Sequence, residues 1–535
     1  MELAVQMAPR LQDLVEKYRG RIPTPAQTTL TERDLILITY ADQVRETDKT
    51  HLQTLAEFCE AHLADMISGI HILPFFPSSS DDGFSVKDYR VVDPALGAWD
   101  DIQAIGHSFR LMIDGVINHA SAQGEWFQAF LRGEAPYRDY FLTVQGDPDL
   151  SQVVRPRTTL LLTEFQTAAG KRRVWTTFSP DQVDLDYHNP QVLLEIFDIL
   201  LTYVQHGAQF LRLDAIAYLW KEKGTACIHL PETHAIIQLL RAILDEVAPY
   251  VRIITETNVP QADNISYFGD DGNEAQLVYN FALPALVLHS FRTGDAAVLS
   301  AWASGLDLPS NRTTFFNLLA SHDGIGLNPI RGILSPTEID ALIEQTHGHG
   351  GLISYKQDAD GTQSPYELNI TYFDALSDPS SNELLYLQIA RFMAAQAIML
   401  SLRGVPGIYF HSLFGSRNWY TGVKLEKNSR SINRQKLERA ELEHQLMDPA
   451  SLEAQVIKRY CHLLAQRRSS AAFNPNGQQK ILDAGRGVFA VLRSSPDGSQ
   501  NVLCLQNITA QTQAASLCNA IHTLEPYQTV WLFNS

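Results

Sequence analysis

The sequence has few cysteines and no apolar run long enough to cross a bilayer. Its five cysteines are scattered along 535 residues, with neither the pattern of a disulfide framework nor the spacing of a metal site. The amphipathic N-terminal segment lacks the apolar core and the cleavage site of a signal peptide. We therefore predict a cytoplasmic protein with buried, reduced thiols and no membrane association.

Positive charge is also scarce, because 42 basic residues face 60 acidic ones and give a formal net charge of -18. A surface this acidic disfavours nucleic acids and acidic membranes as main partners, and it says nothing about a small neutral substrate. The chain is too long for one simple core, so two or more domains are expected. Hydrophobic residues make up 45% of it, which suits a folded globular protein.

Short β-rich apolar segments alternate with amphipathic segments along most of the chain. Strand and helix in repetition predict a parallel sheet, and eight strands over this length predict a (β/α)8 TIM barrel. In that fold the active-site groups lie at the C-terminal ends of the strands. The candidate strands occupy residues 34–41, 67–75, 109–118, 208–216, 251–257, 275–281, 314–321 and 405–410.

Two connections between these strands are too long to be plain loops. Residues 120–187 are predicted to form an inserted domain after the third strand, and residues 324–376 a second insertion after the seventh. Short alternating runs and turns predict a small all-β domain over residues 470–535. The catalytic barrel is predicted to consist of residues 1–119, 188–323 and 377–469.

Charged and polar residues stand at the C-terminal ends of four predicted strands. These ends read DGVINH (114–119), RLDA (212–215), TETN (255–258) and SHDG (321–324). Retaining cleavage of a glycoside needs one ionised carboxylate and one protonated carboxylic acid about 5 Å apart, and like charges that close raise one pKa. Each of these fragments alone more often has a structural role, such as an ion pair or a helix cap, than a catalytic one. All four, in order and at strand ends, predict a glycoside-cleaving site.

These fragments resemble the four conserved regions of the α-amylase superfamily, glycoside hydrolase family 13. The resemblance implies that Asp214 is the nucleophile, Glu256 the general acid/base and Asp323 the stabiliser of the transition state. It covers nearly the whole chain, including the insertion and the β-rich C-terminal part. It further implies a glucose subsite lined by His119, Arg212 and His322.

The sequence departs from the starch-acting members of that family at two places. Ala217 and Tyr218 stand where those enzymes usually carry a Lys-His pair that meets a sugar on the leaving-group side. The 120–187 insertion has no acidic cluster that would complete their calcium site. We therefore expect neither a long oligosaccharide substrate nor a bound metal.

A closer resemblance is to the sucrose phosphorylase subfamily. Its hallmarks include LPFFPSSSDDGFSVKDY, RPRTTLLLTEF, VWTTFSPDQVDLD, GVPGIYFHSLFGSRN and SINR. The resemblance implies a glucose subsite closed by Asp81, Phe84, Phe178 and Arg434. A site sealed in this way admits one terminal glucosyl unit, which suits a donor of disaccharide size.

Selection of phosphate over water needs cationic surroundings on the leaving-group side. Arg155 and Arg157 in the first insertion and Tyr366 in the second are suited to an oxyanion. The alternative is that the Arg-Pro-Arg segment is a solvated loop corner. Glu367 and Lys356 complete the predicted phosphate and acceptor site.

The segments SHDGIG, PYELN and HSLFGSRN resemble the glucosylglycerate and glucosylglycerol phosphorylases more than the sucrose enzymes. The leading prediction is a retaining phosphorylase that exchanges a glucosyl unit between a small glucoside, 2-O-α-glucosylglycerate foremost, and inorganic phosphate. The product is α-D-glucose 1-phosphate. Phosphate is a co-substrate, no cofactor is expected, and the protein is a monomer or a homodimer.

Three alternatives stay open at this point. The first is a phosphorylase for sucrose, sucrose 6F-phosphate or glucosylglycerol. The second is a hydrolase or transglucosidase that uses the same carboxylates. The third belongs to another class, a catalytically inactive barrel that binds a partner.

Overall fold

A closed barrel of eight parallel strands forms the centre of the molecule. The computed structural model describes residues 2–517 and 520–534, so Cys518 lies outside the described residues. Each predicted strand contains one barrel strand, which confirms the predicted (β/α)8 fold. The barrel strands are β1 (Ile36–Thr39), β2 (Gly69–Ile72), β3 (Arg110–Gly115), β4 (Ala208–Leu213), β5 (Arg252–Thr255), β6 (Leu277–Tyr279), β7 (Thr314–Asn317) and β8 (Val405–Tyr409).

The barrel closes between its first and last strands. Ile36 of β1 is in register with Gly69 of β2 on one side and with Gly407 of β8 on the other. Nearly all strand residues are buried, as expected for parallel strands that are covered on both faces. All eight C-terminal strand ends therefore meet at one rim.

A helix follows each barrel strand, and residues that favour a helix N-terminus stand where the helix after β3 begins. The helix Pro190–Gln205 starts with proline directly after Asn189, whose side chain accepts a hydrogen bond from the Gln191 N–H. No helix in residues 2–517 and 520–534 is both long and apolar enough to cross a membrane. The helices after the barrel strands are His51–Leu63, Trp99–Ser108, Pro190–Gln205, Pro231–Val247, Gln261–Ile265, Ala282–Thr293, Leu385–Ser401 and Leu452–Arg468. Further helices are Glu2–Tyr18, Glu125–Arg132, Ala297–Ser304, Pro336–Gly348, Tyr372–Leu376, Tyr420–Glu426 and Arg439–Met447.

Antiparallel strands lie outside the barrel in three places. After β3 they are His119–Ser121, paired with Gln182–Asp184, and the sheet Thr143–Val144, Leu162–Thr167 and Gly170–Trp175. After β7 they are Ile325–Gly326, Leu352–Gln357 and Gln363–Asn369. The C-terminal sheet, which agrees with the predicted all-β texture, comprises Gln478–Ile481, Val488–Ser494, Asn501–Asn507 and Thr529–Asn534, beside the hairpin Gln513–Leu517 and Ala520–Leu524.

A buried ion pair joins the segment after β3 to the barrel. The Lys221 ammonium lies 2.5 Å from Asp184 Oδ2 and donates to Asn118 Oδ1 at 2.7 Å. Asp184 also accepts hydrogen bonds from the N–H and the hydroxyl of Thr177, at 3.0 and 2.6 Å. Because the Lys221 and Asp184 side chains are 3% and 0% exposed, this contact fixes the strand Gln182–Asp184 against the rim.

Candidate active site

A pocket opens at the C-terminal rim of the barrel, where the sequence places the site. It brings together the three predicted catalytic carboxylates, most of the predicted glucose subsite and part of the predicted phosphate site. The predicted residues that line it are Asp81, Phe84, His119, Arg157, Phe178, Asp214, Glu256, His322, Asp323, Tyr366 and Glu367.

A strained turn after β4 brings the first two carboxyl groups side by side. Ala215 has a φ of 48°, a left-handed conformation that is uncommon for a residue with a Cβ. In this conformation its N–H, the one that follows Asp214, donates to Glu256 Oε2 at 2.9 Å. The strand end and the turn therefore direct Asp214 and Glu256 into the same pocket.

A buried arginine on β4, two residues before Asp214, orients the Asp214 carboxylate. Arg212 Nη1 donates to Asp214 Oδ1 at 2.9 Å and also pairs with Asp114. Asp114 is held in turn by His71 Nε2 at 2.6 Å, and Arg212 Nε donates to the Tyr279 hydroxyl at 3.0 Å. Because Arg212, Asp114, His71 and Tyr279 are all buried, they hold the Asp214 carboxylate in one preferred orientation.

Burial raises the pKa of both Asp214 and Glu256, and the positive charge of Arg212 opposes that shift. Neighbouring carboxylates raise both values further, so the pair retains a proton near neutral pH. Arg212 bonds to Asp214, whereas Glu256 accepts only a neutral peptide N–H at 2.9 Å. These contacts favour the negative charge on Asp214 and the proton on Glu256.

Asp323, the third carboxylate, is surrounded by cations. Its Oδ1 lies 2.6 Å from Arg430 Nη1 and 4.0 Å from Arg434 Nη2. Burial alone would raise the pKa of Asp323, but Arg430 first, then His322 and Arg434, hold it well below its usual range. Asp323 is therefore ionised across the physiological pH range.

Arg430 is a pocket residue that the sequence did not point out. Its Nε and Nη2 donate to the two carboxylate oxygens of Glu367 at 3.1 and 2.6 Å. The predicted acceptor residue Glu367 is thus buried, and both of its oxygens are used by a guanidinium. Arg430 lies in the 3₁₀ helix Ser429–Asn433, one turn before the predicted Arg434, and that proximity was the available signal.

Aromatic and imidazole rings form the walls of the pocket on the glucose side. Phe84 stacks on His322 with ring centroids 4.8 Å apart and planes 4° apart. His119 contacts Phe178 at 5.3 Å, and its Nε2 lies 2.9 Å from the Phe84 carbonyl oxygen. The predicted glucose-subsite rings are therefore packed on one another and present a preformed surface.

Arg434 lies behind this wall, 1% exposed in its side chain. Its Nε donates to the His322 carbonyl oxygen at 2.8 Å, and Nη1 is 3.9 Å from Asp81 Oδ1. Both terminal nitrogens are buried without a hydrogen-bond partner among the described residues. Buried guanidinium nitrogens require acceptors, which the hydroxyl groups of a bound sugar can provide.

Arg157 also lines the pocket, where it lies between two aromatic rings. Its guanidinium carbon is 5.8 Å from the Phe178 centroid and 5.4 Å from the Tyr366 centroid. Arg157 and Tyr366 are therefore together, as predicted. The structure directs the other two predicted cations elsewhere: Arg155 donates to the Thr159 carbonyl oxygen, and Lys356 lies 3.4 Å from Asp358.

Of the other lining residues, Tyr218 stands where the sequence departs from the starch-acting enzymes, and the remainder carried no separate signal in the sequence. Gln182 lies within a segment that the resemblance had pointed to, and Asn258 is the last residue of TETN. The Asn258 Oδ1 atom is buried without a partner in the part of the chain that is described. The additional lining residues that can contact a ligand are Gln182, Tyr218, Asn258, Phe281 and Arg430.

Comparison with known proteins agrees with this geometry. A family model described as alpha amylase, catalytic domain, matches residues 62–322. Glucosylglycerate phosphorylase from Allomeiothermus silvanus is 51% identical over 512 residues, which are 94% of this chain and 92% of the relative. Sucrose phosphorylase from Agrobacterium vitis is 31% identical over 85% of this chain and 91% of its own.

Among solved structures, sucrose 6F-phosphate phosphorylase from Thermoanaerobacter thermosaccharolyticum has the same fold. It superposes with a TM-score of 0.79 over 95% of this chain and 100% of its own, at 24% identity. The identity and coverage of the two phosphorylase relatives establish the family. The chain belongs to the α-amylase family, glycoside hydrolase family 13, in the group that contains the glucosylglycerate and sucrose phosphorylases.

Proposed function

We propose that the protein is a retaining glucosylglycerate phosphorylase. It converts 2-O-α-glucosylglycerate and inorganic phosphate into α-D-glucose 1-phosphate and glycerate, and it catalyses the reverse reaction. The observation that carries the proposal is one pocket lined both by the Asp214–Glu256 pair and by a stacked Arg157. Relatives named glucosylglycerate phosphorylase are 46–51% identical over nearly the whole chain, which supports the choice of glycerate.

In the first half of the reaction the bond between glucose and glycerate breaks. Protonated Glu256 donates its proton to the glycosidic oxygen while ionised Asp214 attacks the anomeric carbon from the opposite face. Glycerate leaves with that proton, and the glucosyl unit is bound to Asp214 as an ester. Arg212 holds Asp214 ionised and oriented for the attack.

In the second half phosphate takes the place of glycerate. Glu256, now ionised, removes a proton from the phosphate as its oxygen attacks the anomeric carbon. The ester bond to Asp214 breaks and α-D-glucose 1-phosphate forms. Two inversions at one carbon give overall retention of configuration.

The remaining predicted residues bind the glucosyl unit. Ionised Asp323 accepts hydrogen bonds from sugar hydroxyls and stabilises positive charge at the anomeric carbon. Arg434 and Asp81 close the subsite, where the Arg434 nitrogens that have no hydrogen-bond partner among the described residues meet hydroxyl groups. The stack of Phe84 on His322 shapes the side wall and keeps water out.

Arg157 and Tyr366 bind the anion, which is the glycerate carboxylate in one half-reaction and phosphate in the other. Arg430 and Arg212 are committed to carboxylates of the protein, whereas the Arg157 guanidinium stacks on rings. Arg157 Nη1 also donates to the Pro156 carbonyl oxygen at 3.1 Å, and the remaining N–H groups at the edge of the guanidinium are available to an anion. Tyr366 adds a phenol beside it.

Relatives that act on sucrose are 28–31% identical, which favours glycerate over fructose as the acceptor. No metal or organic cofactor takes part, and the protein is a monomer or a homodimer. The four free thiols of the described residues and the charged substrates favour the cytoplasm.

An acceptor panel tests this function. Purified protein is incubated with α-D-glucose 1-phosphate and, separately, glycerate, glycerol, fructose, fructose 6-phosphate or no acceptor, and released phosphate is measured. We expect release with glycerate well above release with the other acceptors. Release that is equal in all reactions, including the one without acceptor, would identify a hydrolase instead.

Arg157→Ala and Arg155→Ala form a matched pair for the anion site. Loss of a charge-assisted hydrogen bond costs about 1.5–3 kcal/mol, so Arg157→Ala should slow phosphate-dependent turnover roughly 10- to 150-fold. The rate at which Arg157→Ala hydrolyses glucose 1-phosphate should fall much less when this substrate is present at a saturating concentration. Arg155→Ala should resemble the parent protein, because Arg155 bonds to the Thr159 carbonyl oxygen and, unlike Arg157, does not line the pocket.

A further inference from the structure

Arg430 lies where three separate parts of the chain meet. It belongs to the 3₁₀ helix Ser429–Asn433 that follows β8. Asp323 lies six residues after the end of β7, and Glu367 lies in the strand Gln363–Asn369 of the second insertion. The side chains of Arg430, Glu367 and Asp323 are 14%, 3% and 17% exposed, so all three are largely removed from water.

The geometry of the contact fixes the plane of the guanidinium. Glu367 accepts from Nε and Nη2, the side edge of the group, at 3.1 and 2.6 Å. Two parallel hydrogen bonds of this kind hold an arginine in one orientation. The remaining nitrogen, Nη1, is thereby directed at Asp323 Oδ1, 2.6 Å away.

The charge of Arg430 matters because Asp323 shares a buried pocket with two other carboxyl groups. Without a cation beside it, Asp323 would gain a proton or turn away from Asp214 and Glu256, since like charges repel strongly where water is excluded. Arg434 is more distant at 4.0 Å and donates to a carbonyl oxygen. Arg430 is therefore the cation in direct contact with Asp323.

We propose that Arg430, oriented by Glu367, is a positioning residue that keeps Asp323 ionised and in place for glucosyl transfer. Glu367 thereby connects the strand that carries Tyr366 to the glucose subsite. This assignment rests on the proposed function only in taking Asp323 as part of the glucosyl-transfer site, and it does not depend on which acceptor is used.

The pH dependence of the reaction gives the proposal a specific signature. Asp323 works as a carboxylate, so activity that depends on it is present above its pKa and is lost as pH falls through that value. Removal of Arg430 raises the pKa of Asp323 and moves this loss to higher pH. The charged and titratable groups that face Asp323 are Arg212, Asp214, Glu256, His322, Arg430, Arg434, Tyr40 and Tyr409.

The test uses hydrolysis of α-glucosyl fluoride, which needs neither phosphate nor glycerate. Arg430→Gln should lower kcat about 100-fold, the usual effect of a misplaced catalytic group, with a small change in KM. The acid limb of its pH profile should lie at higher pH than that of the parent. Arg430→Lys retains the charge, so its acid limb should stay near the parent position and part of kcat should return.

Glu367→Gln and Arg331→Gln separate orientation from general stability. Glu367→Gln leaves the Arg430 charge but loosens its orientation, so kcat should fall at least tenfold while the acid limb does not move to higher pH. Arg331, an exposed residue, donates to the Pro365 carbonyl oxygen of the same strand and is the matched control. Arg331→Gln should hydrolyse the fluoride at the parent rate.

Parent-like fluoride hydrolysis in Arg430→Gln, or an equal displacement of the acid limb in Arg430→Lys, would overturn the proposal. If Arg430→Gln does not fold, parent-like kcat in Glu367→Gln would overturn it. Failure of the proposed function gives a different result: the parent protein would hydrolyse the fluoride but release no phosphate with glycerate. The two ideas can therefore fail separately.

Discussion

Replacement of Lys221 by methionine should destabilise the protein and impair the pocket together. Methionine keeps the length and most of the volume of the side chain but removes the ammonium group. Asp184 would then keep its bonds to Thr177 and Asn118 while its buried negative charge had no cation. Breaking a buried pair in this way costs about 3–5 kcal/mol.

The same figure sets the expected change in melting temperature. The entropy of unfolding is about 2.1 cal/mol/K per residue. If all 535 residues unfold as one unit, each kcal/mol of lost stability therefore lowers the Tm by roughly 1 °C. Lys221→Met should therefore lower the Tm by about 3–5 °C. Because Asp184 and the pocket residue Gln182 belong to one strand, the KM for glucose 1-phosphate should rise as well.

Differential scanning calorimetry at a fixed scan rate measures the first effect, and initial rates of phosphate release measure the second. Lys223→Met, two residues away and exposed, is the matched control and should change the stability by less than about 0.5 kcal/mol. The double variant Lys221→Met/Asp184→Asn should regain part of the loss, since the uncompensated charge is gone. Equal Tm values for Lys221→Met and Lys223→Met would refute this account of the ion pair.

Three further outcomes follow from the site. Asp214→Asn should abolish turnover of both glucose 1-phosphate and α-glucosyl fluoride, and retained turnover in either assay would reject Asp214 as the nucleophile. Glu256 acts in its protonated form, so the rate of glucosylglycerate phosphorolysis by the parent protein should fall as pH rises through the raised pKa of Glu256. The leaving group of α-glucosyl fluoride needs no proton. Formation of the glucosyl-enzyme from the fluoride by Glu256→Gln should therefore show no such fall at alkaline pH. Gly324→Ala should displace the strand Gln363–Asn369 and lower kcat, because a Cβ there would lie 2.9 Å from the Leu368 carbonyl oxygen. Gly348→Ala is the control: a Cβ at residue 348 would meet open space, so kcat should stay unchanged.

The sequence was sufficient to predict the barrel because burial of parallel strands leaves a repeated apolar pattern. Asp214, Glu256 and Asp323 could be located because each stands just after or near the C-terminal end of such a strand, and the fold brings all strand ends to one rim. Directions of side chains in irregular segments were not predictable in this way. Arg155 and Arg157 are equivalent in the sequence, and only the path of the chain around Pro156 turns Arg157 to the pocket.

Contacts between residues far apart in the chain could not be predicted from the sequence either. Arg430 lies far from Asp323 and Glu367 in the chain, in a segment without regular periodicity, so no local pattern joins them. The carboxylate of Glu367 suggested a ligand-binding role, but its contribution depends on a guanidinium that only the folded chain brings near. Lys356 likewise pairs with Asp358 on its own hairpin.

The central claim is that Asp214 carries the glucosyl unit between donor and acceptor. Glu256→Gln, incubated with α-glucosyl fluoride and digested at low pH, allows mass spectrometry to locate the trapped sugar. The account predicts one added dehydrated glucosyl unit on the peptide that contains Asp214, and its loss after phosphate or azide is added. An adduct on a peptide without Asp214, or fluoride release with no adduct under conditions where the product is still forming, would contradict it.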